Sequence, residues 1–315
     1  MLKGKTMLEI GKLKLKSPLV LAPIAGYTDS PFRKLSSEFG AGFTMTELIS
    51  SEGIVRGCEK TFSMLKFTEA ERPLGIQIFG NNPYTLARAA EAVTGLNPDF
   101  IDVNMGCPAR KVTGSGNGAA LLKDPDLIYR IIKSVVAATP LNVSAKIRIG
   151  WDEDSLNYLD VLKALEEAGV SFIIVHGRTK SQQYGGNANW DIIKEIVEKS
   201  SVPVIGNGDI NSYLAAFERL EFSKCAAVMI GRGAIGNPWI FSGYTPSVDE
   251  LVSVIVRHLD LMIEEYGTYG INLMRKHLVR YIHGTKNAAK IRSSLVSAVT
   301  REEIVDILKN IEANV

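Results

Sequence analysis

A short stretch, Asn104 to Leu122 (NMGCPARKVTGSGNGAALL), brings together a thiol, a basic pair and several glycines. It follows the apolar run Phe100 to Val103, so Cys107 stands where a strand gives out into a loop. Buried cysteines are ordinarily small hydrophobes, but the Asn, Gly and Pro around Cys107 form loops rather than cores. Cys107 is therefore read as a reactive group presented to a ligand. Asn104 sits beside it at the strand's polar tip, and Arg110 and Lys111 follow just beyond. Other chemistry-bearing residues recur in or just after apolar runs: Gln77, Lys146, His176 with Arg178, Asn207 to Asp209, and Gly231 with Arg232.

Groups so far apart in sequence need a fold that gathers strand ends. From Leu19 to about Arg232 the chain alternates apolar runs with amphipathic helical segments. The runs are LVLAPIAG, FTMTEL, LGIQIFG, FIDVNMG, VSAKIRIG, FIIVHGR, VPVIGNGD and AAVMIGRG. They are rich in Val, Ile and Phe and apolar on both faces, as strands of a buried parallel sheet are. Between them lie helix patterns such as Pro83–Val93, Asp154–Gly169 and Trp190–Lys199, the second with Asp154 as an N-cap and Gly169 as its stop. Such a series predicts a (β/α)8 TIM barrel of ~250 residues. An open doubly wound sheet is the alternative, disfavoured because the first turn lacks a glycine fingerprint.

After Trp239 the pattern changes to helix periodicity alone. A turn-rich linker, Gly243 to Glu250, leads into four amphipathic segments, the first with an apolar stripe at Leu251, Val254, Ile255, Leu259 and Met262. The expected organisation is a catalytic barrel over 1–242 followed by a small all-helical domain over 243–315.

Parallel barrels place reactive groups at the C-terminal ends of their strands. Loops after the seventh and eighth strands commonly bind phosphate through backbone N–H groups. Gly206 to Asp209 and Gly231 to Gly233 fall there, with Arg232 to add charge-assisted bonds, although each alone is also consistent with a tight turn. Lys146 is expected to point into the barrel, where a lysine needs a partner. That partner is either an anionic ligand centre, such as the N1/O2 edge of a reduced flavin, or a carboxylate such as Asp102 or Glu47. Gln77 donates and accepts at once, which suits a heterocycle's edge or a backbone contact inside the barrel. His176 stands at a strand end, whereas His258, His277 and His283 lie on helical segments and read as surface or packing residues.

Composition narrows the class. With 315 residues and 46% hydrophobic content, the chain has enough apolar surface for a packed core. No apolar run approaches the ~20 residues of a membrane span, and Leu19 to Pro23 is read as a strand rather than a leader. Cys58, Cys107 and Cys225 are too few and too scattered for a disulfide framework or a metal cluster, so no metal and a reducing, cytoplasmic setting are expected. The net charge is only +2, yet Arg275 to Arg292 holds six Lys or Arg and no Asp or Glu.

The segments APIAGYTDSPFR (22–33), QIFG (77–80), DVNMGCPARKV (102–112), KIRIGW (146–151), HGRT (176–179), GNGDI (206–210) and MIGRGAIGNPWIF (229–241) resemble the tRNA-dihydrouridine synthases, as does MRKH (274–277). The likeness runs in order over nearly the whole chain and is closest to the bacterial B-type branch. Ile24 departs from the Met usual in the family. The resemblance implies an FMN-bearing barrel, NADPH as reductant and a helical tRNA-binding domain. It implies that Pro23, Ile24 and Ala25 line the isoalloxazine, and that Gln77 and Lys146 bond its polar edge with His176 nearby. Asn207, Gly208, Asp209, Gly231 and Arg232 would hold the phosphate end. It makes Cys107 the proton donor and has Asn104 position the uracil.

The chemistry agrees. Reducing the C5=C6 bond of uracil takes a hydride at C6 and a proton at C5, and thiols, titrating near ~8.5, are mostly protonated at neutral pH. The base must leave its stack, at a cost of roughly a few kcal/mol. The basic residues Arg275, Lys276, Arg280, Lys286, Lys290 and Arg292 would then meet tRNA phosphates, with Arg110, Lys111 and Arg178 nearer the target nucleotide. A solvated helix face is the plainer reading of the basic stretch. The competing functions are a flavin barrel acting on a free pyrimidine or other small molecule, an RNA-binding folding factor, and a non-redox barrel with a phosphorylated substrate. A monomer would leave both parts of the chain open to tRNA.

Overall fold

The computed structural model describes residues 8–282 and 287–311. His283 and Lys286 lie outside the described residues. A hairpin of β1 (Leu8–Ile10) and β2 (Leu13–Leu15) precedes the barrel strands β3 (Leu19–Leu21), β4 (Thr44–Met45), β5 (Ile49–Ser50), β6 (Leu74–Phe79), β7 (Phe100–Met105), β8 (Asn142–Arg148), β9 (Phe172–His176), β10 (Val204–Asn207) and β11 (Ala227–Ile230). All nine barrel strands belong to one parallel sheet, running β3-β11-β10-β9-β8-β7-β6-β4, with β5 also paired to β6. The backbone N–H groups of Gly42 and Leu21 donate to Leu19 O (2.7 Å) and Phe43 O (3.0 Å), which brings the first strand against the second. The result is a nearly closed (β/α)8 barrel, as the eight apolar runs predict.

Two expected elements differ in detail. The FTMTEL run is strand only at Thr44–Met45, pairing with β6 is taken up again just beyond it at Ile49–Ser50, and between them the Glu47 carboxylate accepts from Gly26 N–H at 2.8 Å. The segment predicted to be helical from Asp154 starts instead at Tyr158 and runs to Ala168. Asp152 accepts from the Ser155 hydroxyl, and Asn157 Nδ2 donates to Leu122 O at 2.6 Å, so the intervening residues form turns. Gly169 stops that helix in the left-handed conformation (φ 95°), as its position predicts.

One end of the barrel is sealed. Phe43, Phe100 and Phe172 pack edge to face, with ring centroids 5.0 and 5.4 Å apart along the pairs Phe43–Phe100 and Phe100–Phe172. Ile10, Leu13 and Leu15 of the hairpin join that cluster as a lid. Lys12, in the hairpin turn, donates to Asn142 at the start of β8, so the lid covers the N-terminal ends of the strands. The C-terminal ends are left to form a site.

Four further helices follow: Val248–Tyr266, Tyr269–Tyr281, Ala288–Ser297 and Arg301–Lys309. The first begins at a capping box in which Ser247 and Glu250 satisfy each other's backbone N–H groups. Their core, around Ile255, Leu259, Met262, Met274 and Leu278, also takes in Leu35 from the first barrel helix (Ser30–Glu38), Phe39 at its C-terminal cap, and Trp239.

Candidate active site

A cavity of about 780 Å³ opens at the C-terminal ends of the strands. Cys107 and every residue expected to touch the cofactor, from Pro23 to Arg232, line it, together with Asn104, Arg178 and Arg280. Arg110 and Lys111 stand just outside, exposed on a short helix (Arg110–Thr113) after the cysteine loop. Arg275 and Lys276 do not reach the cavity.

The cysteine loop is anchored at three points. Asn104 Oδ1 accepts from Cys107 N–H at 3.0 Å, Cys107 O accepts from Ala119 N–H at 3.1 Å, and Gly106 O accepts from Arg148 Nε at 2.8 Å. A Cβ on Gly118 (φ +58°) would lie 2.9 Å from Cys107 O, so only glycine passes there. Cys107 itself stays half-exposed on this rigid frame.

Lys146 lies on β8 with its ammonium group donating to Asn207 Oδ1 at 3.0 Å. Neither Asp102 nor Glu47 pairs with it, so the carboxylate-partner alternative falls. Burial, and then the charge of Arg148, bring its pKa down to about 8. Asn207 is fixed in turn by donating Nδ2 to Met229 O at 2.7 Å. Burial first, then the surrounding cations Lys146, Arg148, Arg178 and Arg232, hold His176 well below its ordinary pKa, so the ring is neutral.

Arg178 is only 1% exposed, and its guanidinium is committed. It donates to Gly185 O, Gly186 O and Asp209, the last at 2.7–2.8 Å. A group so bound clamps the loop after β9 and has little left for a substrate. Asp209 (φ 52°) accepts from Arg178, from Ala188 N–H and, at 3.3 Å, from Arg232. The Asp209 side chain thus fixes Arg178 in the loop after β9 and contacts Arg232, and it is the residue's backbone rather than its carboxylate that suits a phosphate.

Arg148 and Tyr184 escaped the sequence reading. Arg148 shares the inward face of β8 with Lys146, two residues on, and bonds Gly106 O, Thr179 O and Gln183 O. The period of two was the available signal. Tyr184 is 55% exposed, with the Arg148 and Arg232 guanidiniums 5.7 and 5.1 Å from its ring centre.

Of the basic tail residues, Arg280 is exposed and lines the cavity. Arg275 donates to Ala298 O, Lys276 lies 3.3 Å from Asp29 Oδ2, and Arg292 contacts Ile282 O. Lys290 is exposed. His258 and His277 are fully buried packing residues at the seam between the tail and the first barrel helix, beside Asp29. Ligand atoms of these three lie within 4.8 Å of one another, but Lys276 already takes Asp29 Oδ2.

Residues 20–315 match the family model described as dihydrouridine synthase (Dus). The chain is 36% identical over 302 residues to a probable tRNA-dihydrouridine synthase of Rickettsia conorii, covering 92% of this chain and 91% of that one. It is 36% identical over 312 residues to tRNA-dihydrouridine synthase B of Pasteurella multocida, covering 95% and 94%. With tRNA-dihydrouridine synthase B of Vibrio vulnificus it shares 38% over 297 residues, covering 90% and 92%. No described helix is long and apolar enough to cross a membrane. These matches, with a half-exposed thiol, a half-buried lysine and paired glycine turns at one barrel mouth, show that the chain belongs to the dihydrouridine synthase family.

Proposed function

We propose that this chain reduces the C5=C6 bond of a uridine in the D-loop of tRNA, using FMN, with NADPH as the source of electrons and Cys107 as the proton donor. The observation that carries the reading is a thiol on a triply anchored loop sharing one cavity with a half-buried lysine that has no carboxylate partner among the described residues.

The residues present fit FMN. Lys146 supplies a desolvated cation for the electron-rich edge of the ring, and Gln77 a side-chain amide beside it. Gly208 (φ +136°) sits where a Cβ would strike Ala188 at 2.4 Å, so the turn after β10 approaches the cavity as bare backbone. Gly231 opens a short 3-10 helix, Arg232–Ala234, whose free N–H groups suit a phosphate, and Arg232 adds its charge. Pro23, Ile24 and Ala25 give the ring an apolar wall. When bound, the flavin supplies the hydride.

The chain's own residues do the rest. Cys107 holds a proton on Sγ, and its anchored backbone keeps that atom at a fixed place while the base enters. Asn104 sets the loop from below and faces the uracil with its remaining N–H. Arg280 stands at the mouth, with Arg110 and Lys111 beyond, to meet phosphates around an extruded nucleotide. Lys290 extends that surface over the helical domain, 243–315, which serves as the tRNA-binding part beside the catalytic barrel, 1–242, whereas Arg275 and Lys276 are held by Ala298 O and Asp29. The enzyme acts in the cytoplasm as a monomer. A free pyrimidine would leave Arg280 without a role at the cavity.

Purified protein is expected to be yellow and to release FMN on denaturation. Adding it with NADPH to tRNA from a strain lacking the enzyme should restore dihydrouridine, read by mass spectrometry of nucleosides. A colourless preparation that cannot be reconstituted, or a yellow one without dihydrouridine product, would overturn the reading.

A further inference from the structure

Below the cysteine loop lies a polar group that the proposed reaction does not use. Asp102 is fully buried on β7, between Gln77 on β6 and Ser144 on β8, its direct neighbours in register. Its Oδ2 accepts from Gln77 Nε2 at 2.7 Å, and its Oδ1 accepts from the Ser144 hydroxyl at 2.6 Å. Gln77 Oε1 accepts from Asn104 Nδ2 at 2.8 Å, and Asn104 Oδ1 accepts from the backbone N–H groups of Cys107 (3.0 Å) and Gly106 (3.3 Å).

The direction of this chain is determined at both ends. A carboxylate oxygen facing an amide can only accept, so Gln77 must turn its NH2 downward and its oxygen toward Asn104. Asn104 must then offer its NH2 to Gln77, leaving its oxygen for the loop. Backbone N–H groups at the top can only donate, which demands the same orientation. Reversing either amide would set two donors or two acceptors face to face. The free hydrogens left on Gln77 Nε2 and Asn104 Nδ2 make the cavity floor a donor surface, suited to carbonyl edges.

We propose that Asp102 is a positioning residue, which acts through Gln77 and Asn104 to hold the Cys107 loop in register. This rests on the reading of Cys107 as proton donor. Without an acceptor at position 102, Gln77 is free to turn over, Asn104 follows, and Cys107 N–H loses its partner. What matters is the acceptor and not the negative charge: an amide there can accept from Gln77 with its oxygen and donate to Ser144, whose hydroxyl can rotate.

Alkylation of Cys107 by iodoacetamide, measured by peptide mass spectrometry against the exposed Cys58 of the same molecule, reads the loop without requiring turnover. D102L is expected to raise the Cys107-to-Cys58 ratio about fivefold and to lower kcat roughly tenfold with KM for tRNA unchanged, the loss of one anchored contact. D102N, the conservative variant, keeps the acceptor and should return the ratio to the wild-type value. A folded D102L with the wild-type ratio overturns the proposal, and so does a D102N that behaves like D102L. Should D102L fail to fold, Gln77→Leu breaks the next link and must raise the ratio in the same way; an unchanged ratio there also overturns it. Wild-type protein that forms no dihydrouridine would remove the reading of the reaction, while the ratio would still test the chain of bonds.

Discussion

Two buried polar regions of this molecule are built on opposite plans. At the open mouth of the barrel the polar groups satisfy one another: Asp102, Gln77 and Asn104 run in one direction to the Cys107 loop, and Lys146 reaches Asn207 and thence Met229 O. At the seam between the first barrel helix and the tail, two histidines are buried as deeply, yet His258 Nε2 and both ring nitrogens of His277 have no hydrogen-bond partner. His277 Nε2 stands 3.6 Å from Asp29 Oδ2, too far for a hydrogen bond, and its ring is held by Tyr27 and Phe32 at 5.3 Å each. Directed bonds fix orientation, which proton delivery needs. Shape and one charge suffice to set a helix against a barrel.

The largest effect should come from the mouth. Replacing Cys107 by Ala removes the proton donor but none of the groups assigned to the flavin. FMN retention and reduction by NADPH should be unchanged, while dihydrouridine formation falls by roughly 10²–10⁴-fold. Full product formation by C107A would show that the proton comes from elsewhere and that the loop merely covers the site.

A smaller effect should separate basic residues that the sequence presents as equals. Arg280 is exposed at the cavity, whereas Arg275 and Lys276 bond Ala298 O and Asp29. Arg280→Ala should weaken tRNA binding severalfold and reduce the salt slope by about one. Arg275→Ala should leave that slope nearly unchanged. Equal slopes for the two variants would mean that tRNA reorganises the seam, and that the contrast between the two regions does not survive binding.

What the sequence made legible follows the same division. The barrel could be read because its strands carry unbroken Val, Ile and Phe runs, and the rim because Cys107, His176 and the glycine turns all fall where strands end. Arg148 does not stand out beside Lys146 in the KIRIG run, although the alternation of a strand puts both on one face. The burial of His258 was implicit in the stripe of Ile255, Leu259 and Met262, since a helix places position 258 among them. Its proximity to Asp29, more than two hundred residues earlier, was not. Nor could sequence show that Asp209 and Arg178 bind each other, because motif logic assigns residues to a ligand and is blind to pairs that consume each other's charge.

The smallest effect concerns acid. Burial keeps both seam histidines below the ordinary histidine range, reinforced at His258 by the His277 ring and only partly offset at His277 by Asp29. Burial pushes the Asp29 carboxyl up, but His277 and Lys276 more than reverse it and hold its pKa at about 2. All three groups therefore bind protons more readily in the unfolded chain, where histidine titrates near ~6.5 and Asp near ~3.9. Their contribution is complete above the unfolded values and is lost as pH falls toward the folded ones, the histidines first and Asp29 later. Melting temperature should accordingly fall by a few degrees between pH 7.5 and 5.5. His277→Gln, which cannot titrate, should reduce that fall even if it lowers stability at pH 7.5. His258 at the seam and His176 at the mouth are held low as well and contribute a like loss, so the variant isolates the share of His277 alone. An undiminished fall in H277Q would show that His277 contributes nothing to the acid sensitivity and leave His258 and His176 as its source.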